Sequence, residues 1–187
     1  MKTAILVNGV PASGKSSIAH AVARHRALPL MTLDTVKHPL FGHFGTGDRE
    51  HNRLLGRASY EIIFASIGDW PGPATVVIDA WFGFQPLEVL DRHLVTAGIT
   101  CVAELWCHAP GAVLAERYAA RVDSRSAGHP GLDYVPELVA LAERAKPTGR
   151  GPCFGIDTTQ ELRIDPVLAW LEQHIGLAGP LGSGPSP

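Results

Sequence analysis

The chain has 187 residues, 45% hydrophobic and 18% charged, the balance of an ordinary soluble globular protein with room for one sizeable core. Sixteen Lys and Arg stand against 18 Asp and Glu, a net charge of -2. That field is too weak to hold a polyanion, which argues against nucleic acid or a membrane surface as partner, and no run of about 18 apolar residues is present to span a bilayer.

Thr3 to Val7 reads as a short apolar strand closed by Asn8-Gly9. The apolar run ends too early for a signal peptide, so a cytoplasmic location is expected. Residues 9 to 16, Gly-Val-Pro-Ala-Ser-Gly-Lys-Ser, fit Gly-x4-Gly-Lys-Ser, and Ser16 to Arg26 then place Ile18, Ala19, Val22 and Ala23 at helical spacing. Strand, Gly-rich turn and helix form the context in which this pattern binds a nucleoside triphosphate. Gly9 and Gly14, with Pro11, Ala12 and Ser13 between them, let the backbone curl so that its N–H groups converge on one anion. Lys15 sets a positive charge against the β and γ phosphates, Ser16 offers a hydroxyl to Mg²⁺, and Ser17 can bond a further phosphate oxygen.

A second apolar run, Leu28 to Leu33, ends at Asp34, and a third, Ala74 to Ile78, ends at Asp79. The Asp34 carboxylate can orient an attacking hydroxyl and accept its proton, or it can cap a helix starting at Thr35. Asp79 can hold Mg²⁺ through its water shell, or serve a structural salt bridge or turn. Trp81-Phe82-Gly83-Phe84 follows at once, where the rings either wall a substrate or pack into the core. His38, His43 and His51 surround the Phe41-Gly42 turn without metal-ligand spacing and read mostly as ordinary surface or loop histidines.

Further runs at Ile99 to Cys107 and Cys153 to Ile156 complete five strands. Helices are expected at about 50 to 68, 86 to 97, 111 to 121, 135 to 145 and 165 to 174. Alternating strands and helices predict a mainly parallel sheet covered on both faces, with ligands at the carboxyl ends of the strands. Arg117, Arg121 and Arg125 recur every fourth residue before Ser126-Ala-Gly-His129-Pro130-Gly131, a helix-breaking stretch. That composition suits a mobile lid of about 117 to 132 whose guanidinium groups close over phosphates, or a solvated face paired with Glu116 and Asp123. Cys101, Cys107 and Cys153 lie in strand-like runs and are expected to be buried, reduced thiols. Residues 1 to 175 read as one domain, and 176 to 187, rich in Gly, Pro and Ser, as a disordered tail.

The Gly-rich loop with Asp34, Asp79 and the Arg-rich stretch resembles the small P-loop kinases of the shikimate kinase, gluconate kinase and chloramphenicol phosphotransferase group. The resemblance implies a P-loop NTPase three-layer α/β sandwich, with a five-stranded parallel sheet in order 2-3-1-4-5 and a helical lid. It also implies ATP with Mg²⁺, and transfer of the γ-phosphate to a hydroxyl of a small molecule such as a sugar, polyol or antibiotic. On that likeness Asp34 matches the substrate-binding acid and base, and Arg121 and Arg125 the lid arginines that act with Lys15. The nucleotide side would take Arg117, and the acceptor side Arg57, Trp81 and Phe82. Two other readings stay open. Arg49, Arg53 and Arg57, again four apart, suit a toxin-like kinase of a sugar nucleotide, and a nucleotide-dependent switch needs no acceptor.

Overall fold

The computed structural model describes residues 1–122 and 128–177. Arg125, part of the expected lid and residues 178–187 of the expected tail lie outside the described residues. Five strands, β1 (Lys2–Asn8), β2 (Leu30–Thr32), β3 (Ala74–Asp79), β4 (Ile99–His108) and β5 (Cys153–Asp157), form one sheet in the order β2-β3-β1-β4-β5. Every pairing is parallel, and the order is the one the family resemblance implies.

The central strand shows why the sheet is covered twice. Along β1, Ala4 and Leu6 point into one apolar cluster while Ile5 and Val7 point into another, and all four are fully buried. The first cluster is closed by α3 (Arg49–Gly68) and α4 (Leu87–Ala97), and the second by α1 (Lys15–Arg26) and α7 (Ile164–Ile175). Continuous apolar strands of this kind need helices on both faces. A third cluster joins α5 (Gly111–Ala119) and α6 (Val135–Arg144) to the loop after β1 through Val10, Leu114, Tyr118 and Leu138. Lys2 donates to the carbonyls of Ile67 (2.6 Å) and Gly68 (2.7 Å), satisfying the last turn of α3 from the start of β1.

Four local expectations are corrected. The second strand is only three residues long, because the Thr32 hydroxyl accepts the Thr35 N–H at 3.0 Å and starts α2 (Leu33–Phe44). Thr32, not Asp34, is therefore the helix cap, and Asp34 sits in the first turn, where the helix dipole favours its charge. The fifth helix stops at Ala119, so Arg121 lies beyond it. Of the cysteines only Cys107 is buried, with its thiol pushed up to about 12 by burial; Cys101 is half-buried and Cys153, on the edge strand β5, is exposed. Among the described residues, no helix is long and apolar enough to cross a membrane.

A buried carboxylate ties the sheet together without any motif announcing it. Glu104 on β4 is fully buried; it accepts from Asn8 Nδ2 at 2.7 Å, from the Thr148 N–H at 2.8 Å and from the Thr148 hydroxyl at 2.6 Å. Asn8 in turn accepts the Phe82 N–H through its side-chain oxygen at 3.1 Å.

Candidate active site

The Gly-rich loop is shaped by close approach. A Cβ at Gly9 would stand 2.5 Å from the Cys107 carbonyl and against the Ser13 side chain. Ala12 (φ 66°) and Gly14 (φ 81°) both take the left-handed conformation, and the Ser13 N–H closes a turn onto Val10 O at 3.1 Å. Such alternation turns successive N–H groups toward one point, at the amino terminus of α1. Gly9 and Ser13 lie behind the loop and line neither cavity, while Pro11, Ala12, Gly14, Lys15, Ser16 and Ser17 face outward into the space beside it.

Two cavities flank the loop. The first, about 600 Å³, brings Lys15, Ser16 and Asp79 together with Asp34, Arg57 and Trp81. The second, about 690 Å³, is walled by Ser17, Arg117, Phe154, Thr158 and Gln160. Arg117 is fixed there by bonds to the Thr158 hydroxyl (3.0 Å) and carbonyl (2.7 Å). Arg121 reaches the border of both cavities. The loop thus has open space on both of its sides.

Asp79 ends β3 nearly buried, and one of its carboxylate oxygens has no hydrogen-bond partner. Burial raises its carboxyl above the ordinary value, with the Lys15 charge and the Ser16 hydroxyl pulling it back. An orphaned oxygen beside a serine hydroxyl is an oxygen-donor pair suited to a hard cation, so these residues fit Mg²⁺.

Two helices build the opposite wall. On α2, Asp34 and Lys37 share a face, and Lys37 donates to Asn52 on α3 at 2.7 Å while lying 5.3 Å from the Phe41 ring centroid. From α3 come Asn52, Arg53, Arg57 and Tyr60, and Arg144 of α6 completes a cationic lining. The segment 128–130 docks across the top. Asn52 donates its side-chain amide to the Gly128 carbonyl, and Tyr118 donates its hydroxyl to the Pro130 carbonyl at 2.7 Å. Arg49 is engaged by Glu137, so it faces α6 as an ion pair.

Trp81 lines the cavity, its carbonyl accepting the Tyr60 hydroxyl at 2.6 Å. Phe82 does not: it is 3% exposed and packs in the core, because its bond to Asn8 turns it inward within the short 3₁₀ turn Phe82–Phe84. Phe84 faces the cavity instead. Lys37, Asn52, Tyr60 and Arg144 escaped the sequence reading. For Lys37 a signal existed in its spacing of three from Asp34, and for Asn52 in its place one turn before Gly56 on the face that carries Arg53 and Arg57.

A candidate kinase from Chloroflexus aurantiacus j-10-fl superposes with a TM-score of 0.75 at 26% identity, over 93% of this chain and 98% of that one. The tunicamycin resistance protein of Deinococcus radiodurans matches with a TM-score of 0.57 at 18% identity, over 97% and 100%. Shikimate kinase from Aquifex aeolicus vf5 gives 0.55 at 15%, over 92% and 97%. At these lower identities the last two establish the shared fold alone. No curated protein matches the chain. The family model for the AAA domain matches residues 5–131; the chain belongs to that family and has a P-loop kinase-like fold.

Proposed function

We propose that the protein is an ATP-dependent phosphotransferase that moves the γ-phosphate to a hydroxyl of a small molecule. The observation that carries this reading is the shared cavity: Lys15 and Ser16 line the same cleft as Asp34, with room beside the loop for an acceptor. The loop N–H groups and Lys15 hold the phosphates, and Arg117, fixed against Thr158, faces the nucleotide side. Ser16 and Asp79 hold Mg²⁺, which supplies charge to offset that of the phosphates when bound. Asp34 orients the acceptor hydroxyl and takes its proton late, since phosphoryl transfer asks mainly for positioning and electrostatic stabilisation. Arg121, at the border of both cavities, neutralises charge on the transferring group, a role that Arg125 shares in this proposal. Arg57 and Trp81 contact the acceptor.

Arg53, Arg57 and Arg144 on one wall favour an acceptor that carries an anionic group. The same wall favours the second reading, a kinase of a sugar nucleotide, whose phosphates the three arginines would match. Acceptor space beside the loop weighs against a switch without turnover. The exposed Cys153 thiol suits a reducing, cytoplasmic setting, and the single sheet suits residues 1–175 acting as one domain.

The test is transfer of labelled phosphate from Mg·ATP to a panel of sugars, sugar acids, polyols, antibiotics and sugar nucleotides. We expect transfer to one class, reduced about 100-fold or more in Asp34→Asn, with Lys15→Ala also losing the thermal stabilisation that Mg·ATP gives. Transfer that persists in Asp34→Asn removes Asp34 from the role. Tight, Lys15-dependent ATP binding with no acceptor in the whole panel favours the switch.

A further inference from the structure

The histidines beside the acceptor wall have no part in phosphoryl transfer as described, yet they converge. Asp34 and His38 are four residues apart on α2, hence on one face. His129 meets them from the docked segment, its Nε2 3.0 Å from that of His38 and its ring edge-on at 5.3 Å between centroids. One oxygen of Asp34 and one nitrogen of each imidazole all lie within 4.8 Å of one another. The Phe41 ring stands edge-on to His129 at 6.1 Å, an apolar wall on one side.

We infer that Asp34, His38 and His129 form a binding site for a divalent transition metal of the Zn²⁺ class, separate from the Mg²⁺ position at Ser16 and Asp79. Two imidazoles and one carboxylate are a donor set that suits Zn²⁺ or Co²⁺ and is a poor one for Mg²⁺, which prefers oxygen alone. Tetrahedral Zn²⁺ with bonds of about 2.0–2.1 Å would hold its two ring nitrogens about 3.3 Å apart. The 3.0 Å between His38 and His129 is close to that spacing, and the three donor atoms, within 4.8 Å of one another, must draw together by up to about 1.5 Å to share one ion. The remaining position opens toward the cavity that Asp34 and His129 both line.

Filling this site has a mechanical and a chemical effect. It staples segment 128–130 to α2, and it engages the Asp34 carboxylate, so metal and acceptor hydroxyl compete for the same group. The binding does not depend on the kinase reading, because it follows from the three ligands alone.

The experiment is a Co²⁺ titration of tag-free, nucleotide-free protein in millimolar Mg²⁺, followed by visible absorption, then Zn²⁺ displacement. One equivalent giving intense tetrahedral d–d bands is expected, with affinity lowered about tenfold or more in both His38→Ala and His129→Ala. Circular dichroism confirms that each variant is folded, and because the two substitutions lie on different elements, either one decides if the other misfolds. Absence of tetrahedral bands in the wild-type protein, or affinity unchanged in a folded variant, overturns the proposal. Neither result bears on phosphate transfer, so this inference and the kinase reading fail separately.

Discussion

The position of Asp79 opposes folding, because burial disfavours its charge. Its raised pKa means that the folded protein holds the carboxyl proton more tightly than the unfolded chain does. The resulting loss of stability is absent below the ordinary value of 3.8, grows as pH rises from there through the raised value, and is fully present above it. Asp79→Asn should therefore raise Tm of the nucleotide-free protein at neutral pH, by about 2–4 °C for each kcal/mol of strain relieved. The same change should shrink the additional rise produced by Mg·ATP. Differential scanning fluorimetry with and without Mg·ATP checks both halves, and a lower Tm in the nucleotide-free variant would mean that the carboxylate is structurally satisfied. Ser13 presents a related case: among the described residues its buried hydroxyl has no hydrogen-bond partner.

At the level of elements, the contact of α4 with α3 contains a titratable wedge. His93 of α4 stacks on Phe64 at 5.1 Å and on Tyr60 at 6.4 Å. Burial lowers its pKa from 6.5, with Glu61 opposing that shift and Arg92 adding to it. The folded state resists the proton that the unfolded chain accepts, so stability contributed by neutral His93 is complete above 6.5 and is lost as pH falls from there through the lowered value. Urea denaturation of wild type and His93→Phe between pH 7.5 and 5 should show a steeper acid loss for the wild type. Equal slopes would place the acid sensitivity elsewhere. The aromatic pair before α4 was open to two readings in the sequence, and the structure divides it: Trp81 faces the cavity and Phe82 the core. One hydrogen bond from the Phe82 N–H to Asn8, 74 residues earlier, makes that choice. Local pattern places the pair at a strand end but carries no information about a partner so distant.

The whole molecule shows which parts of the sequence speak for themselves. The phosphate loop was legible because all its determinants are adjacent, whereas the strand order came through the resemblance to P-loop kinases, since alternation and crossover handedness fit other orders as well. Glu104 was not legible, since its partners lie 96 and 44 residues away and an acid within an apolar strand reads as an interruption. Nor was the meeting of His38 with His129, which are 91 residues apart. Glu104 nevertheless joins β1, β4 and the chain before β5. Glu104→Ala strands buried donors on Asn8 and Thr148, and should lower unfolding free energy by about 3 kcal/mol. Urea titration would show this as a lower midpoint with unchanged slope, whereas a loss under 1 kcal/mol would indicate that water replaces the carboxylate, at about the net value of one hydrogen bond.

The central place of β1 also sets a timetable for synthesis. Its two neighbours are Ala74–Asp79 and Ile99–His108, and the carbonyl that backs Gly9 belongs to Cys107. A growing chain therefore carries every residue of the phosphate motif before the Cys107 carbonyl that backs Gly9 has been made. β3 can pair with β1 once residue 79 has been made, but the other edge of β1 and the backing of Gly9 wait for β4. Parallel pairings of such long range form late and leave strand edges open in the meantime. A ligand of the loop can assist folding only after β4 has been made to back it.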